Sequence, residues 1–216
     1  MLSAPDPDAL GLSRVVPLPL PSSGEASRVQ LGSAELVLEH GRGCFTLLWS
    51  DGRDAKRYVL GLTGHGQLQV ELRPPRLPLR LTPREALTVV AGARLRGYVT
   101  APLVPTVVWR DGPTAPRPLV ELLPAALQAE WDEATGCRFG CGVSWMTRFP
   151  FRSEQPRCIV PLRLANTGAE PWSPASFDLT LTTDDLEELR GALVVRPRRI
   201  TWTGTELIQS DEGGAV

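Results

Sequence analysis

Cys137 and Cys141, with three residues between them, stand inside the glycine-rich stretch Thr135-Gly136-Cys137-Arg138-Phe139-Gly140-Cys141-Gly142. Thiolates at C-x3-C spacing fall within the range of zinc knuckles, and Arg138 and the flanking glycines would leave them accessible. No second close pair follows. Cys158 lies alone in an alternating apolar run, where a thiol reads as a small buried hydrophobe, and Cys44 is remote. The plain reading is two ordinary thiols at the end of a hairpin. A metal site at Cys137 and Cys141 is the sharper alternative, and no cofactor is implied.

His40 and His65 both fall at turns. Either has the pKa range of a general base, but no motif supplies a positioned partner. Ser144 is not in a G-x-S-x-G elbow, and the chain has no P-loop and no dinucleotide fingerprint. Asp184, Asp185, Glu187 and Glu188 form an acidic cluster, and Arg190, Arg196, Arg198 and Arg199 a basic run after it. Arg196, Arg198 and Arg199 are candidates for holding an anion such as phosphate. An RNA site would want aromatics interleaved on a sheet face, and only Trp202 is near. Pairing between the acidic and basic runs across a hairpin is the simpler account. The six tryptophans, Trp49, Trp109, Trp131, Trp145, Trp172 and Trp202, are spread among apolar segments, which suits core anchors. A sugar or small-ligand platform would draw on two or three of them, with Trp145 and Trp172 the first candidates.

The elements that would position these residues read as strands. Around Arg157 to Leu181, Cys158, Val160, Leu162 and Leu164 alternate with Ile159, Pro161, Arg163 and Ala165, a period of two with one buried face. Asn166-Thr167-Gly168 gives a turn, Trp172 an aromatic anchor, and Phe177, Leu179 and Leu181 alternate again, as at the edge or corner of a β-sandwich. Upstream, Leu36 and Leu38, then Cys44 to Trp49, a Ser50-Asp51-Gly52 hairpin signal, and Lys56 to Leu62 suggest an antiparallel meander. Leu68, Val70 and Leu72 should point inward while Gln69, Glu71 and Arg73 face water. Pro78 within the Leu77 to Leu81 run suggests an edge strand. Leu127, Ala129 and Trp131 alternate with Gln128, Glu130 and Asp132. Thr183 to Arg190 is the single helical candidate, with Thr183 or Asp184 as cap and Gly191 as stop.

Turn signals recur about every 8–12 residues, the spacing of an all-β sandwich or barrel. The expectation is an all-β, antiparallel β-sandwich, as one large sandwich or two small ones, with at most one short helix. Residues 1–27 read as an extended proline-rich arm, 28–208 as the sandwich region with a sub-boundary near 100–118, and 209–216 as a loose tail.

The chain of 216 residues carries a formal charge of −1, so no global field attracts it to nucleic acid or to an anionic membrane. Its 42% hydrophobic and 22% charged content is that of a globular protein. At this length about 70% of the surface is expected to be buried, enough for a sizeable core. Lys56 is the only lysine, an arginine bias read first as codon composition. No run approaches ~18 apolar residues, so no membrane insertion is expected. The first 14 residues lack the apolar region of a secretory signal, which makes a cytoplasmic location and reduced thiols the expectation.

Three segments resemble a mainly archaeal, DUF432-like family of β-rich domains of unknown function: Leu95-Arg96-Gly97-Tyr98-Val99-Thr100-Ala101-Pro102-Leu103, the Gly136-Cys137-Arg138 region, and Leu162-Arg163-Leu164-Ala165-Asn166-Thr167-Gly168 to Phe177-Asp178-Leu179. The resemblance spans residues 70–210, and the arginine- and proline-rich composition departs from it. It implies a β-rich fold and an accessory protein acting near a small-conductance mechanosensitive-type channel, and it supplies no active site.

The residues themselves lead to three functional expectations. The first is a non-enzymatic β-sandwich protein acting through protein contacts, with a partner protein or with a second copy of itself. The second is a small-ligand or carbohydrate-binding module. The third is a metal-dependent or thiol-based enzyme using Cys137 and Cys141.

Overall fold

The computed structural model describes residues 13–62, 66–112, 115–133, 136–150, 156–189 and 191–211. His65 and Arg190 lie outside them, as do residues 212–216 of the expected tail. The chain is all-β. In order, the strands are β1 (Val15–Leu18), β2 (Ala26–Leu31), β3 (Ala34–His40), β4 (Phe45–Ser50), β5 (Ala55–Leu60) and β6 (Gln67–Arg73). Then come β7 (Leu79–Pro83), β8 (Arg94–Pro102), β9 (Val104–Arg110), β10 (Arg117–Glu121), β11 (Gln128–Asp132) and β12 (Gly136–Val143). The last group is β13 (Arg157–Asn166), β14 (Phe177–Leu179), β15 (Leu186–Leu189), β16 (Ala192–Val195), β17 (Arg198–Trp202) and β18 (Leu207–Asp211).

Two hydrophobic cores form, each enclosed by two sheets. The first lies between the sheet β1-β6-β9-β10 and the meander β2-β3-β4-β5, where Leu36, Leu38, Leu47, Trp49, Val70 and Val107 are buried. The second lies between β11-β12-β7-β14 and a sheet centred on β13, with Leu81, Val99, Val160, Leu164, Phe177 and Ile200 inside. In that last sheet β8 pairs antiparallel along one side of β13, and β16 and then β17 run parallel along the other. Most pairings are antiparallel; β7 with β12 is a further parallel one. Leu68, Val70 and Leu72 are buried as their alternation requires, because a strand sends successive side chains to opposite faces. Among the described residues no helix is long and apolar enough to cross a membrane.

The chain changes sandwich several times. β8 belongs to the second and β9 to the first, with only Leu103 between them. The Leu103 amide is bonded to the Pro156 carbonyl at 2.8 Å, which ties this crossing to the start of β13. The change from one sandwich to the other at Leu103 falls inside the span 100–118.

Several local expectations change. Val15–Leu18 of the proline-rich arm pairs with β6, Pro17 opposite Gln69, as a sheet-edge strand that tolerates proline. Residues 207–211 likewise pair with β17. β7 is not an edge strand but lies between β12 and β14; Pro78 sits just ahead of it and needs only its carbonyl, which accepts the Phe139 amide at 2.9 Å. β13 and β14 do not pair with each other: Asn166 to Ser176 is a corner that carries the chain from one sheet of the second sandwich to the other. The expected helix over Thr183 to Arg190 is a single 3-10 turn, Thr183–Asp185, followed by strand β15. The Asp185 carboxylate bonds back to the Thr182 amide and hydroxyl, closing the turn, and Leu186 then pairs with Val195. Pairing with β16 outweighs weak local helix propensity here.

Gly97 of β8 shows why a glycine stands inside a long strand. The Trp145 indole lies flat against it, and a Cβ built there would come within 2.4 Å of the ring. Gly97→Val is expected to expel Trp145, with a red-shifted tryptophan emission and a loss of about 1–3 kcal/mol of stability by urea unfolding, the usual cost of overpacking.

Candidate functional site

Three polar assemblies and one exposed edge are the places where this fold offers chemistry. The first assembly crosses four strands on the face turned away from the second core. Asp132 of β11, Arg138 of β12, Arg80 of β7 and Asp178 of β14 form one cluster, with the two arginines on the inner strands between the two carboxylates on the outer ones. Arg80 lies 3.5 Å from Asp132 and 3.2 Å from Asp178. Arg138 lies 3.6 Å from Asp132 and donates to Asp178 through Nη1. Arg138 is only 1% exposed; it does not open the thiols to solvent, as its place between Cys137 and Phe139 suggested, but sits within this ion cluster. Every charge in this cluster has an opposite neighbour, while the buried Nε and Nη2 of Arg138 make no hydrogen bond.

The second assembly surrounds the 3-10 turn. Arg198 Nη2 lies 2.6 Å from Asp185 Oδ2, with both side chains about 10% exposed. Burial raises the Asp185 pKa, but the Thr182 hydroxyl and amide and the charges of Arg198 and Arg196 outweigh it and hold the group below its ordinary value. Arg196 reaches Glu187 at 3.7 Å on the exposed surface. Arg199 lines an open groove of about 510 Å³ with Thr180, Thr182, Gln209 and Arg198. Two of the three anion-binding candidates, Arg196 and Arg198, are thus engaged by the acidic run.

The third assembly is a cleft of about 230 Å³ where the chain passes between the sandwiches. Asp51 and Arg53 reach it from the β4–β5 turn, Arg84 from the end of β7, Cys141 from β12 and Arg157 from the start of β13. The Asp51 carboxylate accepts the amides of Arg53 (3.0 Å) and Asp54 (2.9 Å) through Oδ1, and that of Ala125 (2.8 Å) through Oδ2. Burial pulls its pKa up, and these amides pull it further down, so it stays ionised. Burial pushes the Cys141 thiol up to about 11 despite the Arg157 and Arg84 charges. The same desolvation, with Arg84 adding to it, lowers the Arg157 pKa.

The remaining candidates fall elsewhere. Cys137 and Cys141 lie on one strand, Cys137 at the end where β12 pairs back on β11 and Cys141 farther along it. Four residues of extended chain span about 13 Å, too far for one metal ion to bridge with both. No group of three metal-ligating side chains occurs among the described residues. Cys158 is fully buried, its thiol pushed up to about 12 by desolvation. Trp172 is buried in the second core and stacked on Trp202 with centroids 6.1 Å apart, so its ring faces are taken; Trp145 is half-buried over Gly97. His40 stacks on Phe45 and shares a 3.1 Å hydrogen bond with the Pro21 carbonyl. Trp131 breaks the expectation that tryptophans are core anchors: it is 76% exposed. It sits on β11, the last strand of its sheet, opposite the exposed Cys137.

No protein-family model matches the chain, and neither a curated protein nor a solved structure matches it. The class the structure defines is an all-β protein of two packed sandwiches, and the functional reading has to come from its surfaces.

Proposed function

We propose that this protein is a non-enzymatic accessory protein that works through protein contacts, with the free edge of β11 as its contact surface. The carrying observation is Trp131, three-quarters exposed on an edge strand. An unpaired strand edge is a template for another extended chain, and a large aromatic beside it is the residue type that dominates binding energy at interfaces. A second copy is a poor occupant. Antiparallel pairing of β11 with itself about Glu130 sets Glu130 against Glu130, and about Trp131 sets Glu130 against Asp132. Like charges directly opposite are destabilising. An extended segment of a different protein, carrying basic residues, fits better against Glu130 and Glu133, both exposed.

Cross-linking and affinity capture with wild type and Trp131→Ala test this. The expected result is a partner held by wild type and bound at least about tenfold more weakly by the variant, the scale of a hot-spot residue. A partner held equally by both, or a protein that captures nothing, removes the proposal.

A further inference from the structure

The outer face of the meander β2-β3-β4-β5 is a surface independent of the β11 edge. The register of the four strands sets Arg28, Val37, Leu48 and Arg57 side by side in one line across the sheet. They point away from the first core, since Leu36, Leu38, Leu47 and Trp49 of the same strands point into it. Glu39, Thr46 and Val59 form the next line on this face, and Glu35 lies one line to the other side. Val59 is 67% exposed, and Val37 and Leu48 are half-buried. The centre of the face is therefore aliphatic, and its rim carries two arginines and two glutamates. Arg28 pairs with Glu35 at 3.5 Å on the surface. Arg57 and Glu39 are both exposed and make no ion pair among the described residues.

We propose that this face packs on the same face of a second copy of the chain, with the strands of the two meanders crossing at right angles. Arg28 and Arg57 end a line about 14 Å long across the four strands, and Glu35 and Glu39 end a line about 13 Å long along β3. The two lines are perpendicular and cross at Val37. A twofold axis in the plane of contact that bisects them lays each line on the other line of the second copy. Arg57 then stands over Glu39 of the second copy and Arg28 over its Glu35, and the symmetry repeats both pairs. Val37 and Leu48 cover their counterparts, and Val59 meets itself near the axis. The two charges without a partner in the chain are the two that meet across the axis. Crossing at right angles is one of the two usual ways in which sheets stack. The other, with strands nearly aligned, sets arginine against arginine, and like charges brought together are costly. With two charges of each sign, the face attracts neither a uniformly acidic nor a uniformly basic partner; its own pattern complements it. Four strands by six residues bury on the order of 1,000 Å² in a dimer, the size of a transient interface.

Sedimentation equilibrium of the full chain, from micromolar to near-millimolar loading, tests the dimer. The weight-average mass is expected to rise from 23.5 kDa toward twice that value. Val59→Asp should weaken association at least about tenfold, the scale of a residue at the centre of an interface, because it sets two carboxylates together at the axis. Arg57→Glu and Glu39→Arg should each weaken it as well, since like charges then face each other. An equimolar mixture of those two variants should regain wild-type association, because every such charge again meets its opposite; only a contact between two copies of this face gives that rescue. Val59, Arg57 and Glu39 are exposed, so the variants should keep the wild-type far-UV circular dichroism spectrum. Trp131→Ala should associate as wild type does, which separates this contact from the one at β11. A chain that stays monomeric at every loading, a Val59→Asp variant that associates as wild type does, a mixture as weak as its parts, or a Trp131→Ala variant that no longer associates would each overturn the proposal.

Discussion

Asp178→Ala is expected to lower the unfolding free energy by about 3–5 kcal/mol, the range for removing one partner of a buried ion pair. Arg138→Met should cost much less, about 1 kcal/mol. The asymmetry follows from which charge is out of water. The Arg138 side chain is 2% exposed, whereas those of Asp132 and Asp178 are 33% and 39% exposed. Without Asp178, a guanidinium that cannot lose its proton keeps only Asp132 at 3.6 Å, and its Nε already finds no acceptor. Without Arg138, both carboxylates turn to solvent and to Arg80, which contacts each of them. The double variant should then be less destabilised than the sum of the singles by more than about 1 kcal/mol, as expected for directly coupled residues. Urea unfolding at pH 7 with a constant m-value measures all three. Equal losses for the two single variants would mean that Arg138 is stabilised by its packing and not by the cluster.

The period-two pattern made the strand faces legible. Leu36, Leu38, Leu68, Val70 and Leu72 are all buried because their neighbours in sequence are forced to the other face. Pairing was less legible, since alternation says which side a residue takes and nothing about which strand lies beside it. Arg157–Asn166 and Phe177–Leu179 read as consecutive strands, yet they belong to opposite sheets. Leu127, Ala129 and Trp131 read as one inward face. Leu127 is packed in the second core just ahead of β11, whereas Trp131 lies at the other end of this outermost strand and is exposed. The Thr183 to Arg190 pattern suited a helix equally well, and only the long-range partner Ala192–Val195 selects a strand.

The candidate sites were legible in proportion to how local they are. The acidic and basic runs around Asp185 and Arg198 are close in sequence and meet in space. The cleft beside the crossing between the sandwiches is different in kind. Arg53, Arg84 and Arg157 come from three distant turns or strand ends, and they converge only because the chain passes from one sandwich to the other beside Pro102 and Pro124. In a chain with arginine in place of nearly every lysine, no single one of them stands out. The signal that was present is Gly142, a glycine in a strand with an ordinary negative φ, which marks a close approach by another side chain.

Asp185→Asn is expected to lose about 3 kcal/mol at pH 7, since Arg198 would be left buried and charged beside a neutral amide. The loss should depend on pH in a definite direction. In the unfolded chain an aspartate titrates near 3.9. In the folded protein Asp185 titrates lower: burial opposes this, but the Thr182 bonds and the Arg198 and Arg196 charges prevail. A carboxylate with a depressed folded pKa contributes stability that is complete above the unfolded pKa and disappears as pH falls through the folded one. Wild type should therefore lose more stability than the variant on going from pH 5 to pH 2, and the gap between them should narrow steadily below about pH 4. Asp51, whose pKa is lowered by the amides that tie it to Ala125, retains its own acid-sensitive share in both proteins, so the variant is still destabilised by acid, with a shallower slope. Unfolding midpoints followed between pH 7 and pH 2 read this out. A gap that stays constant across that range would show that Asp185 acts through the shape of the 3-10 turn alone and that its charge adds nothing to holding Arg198.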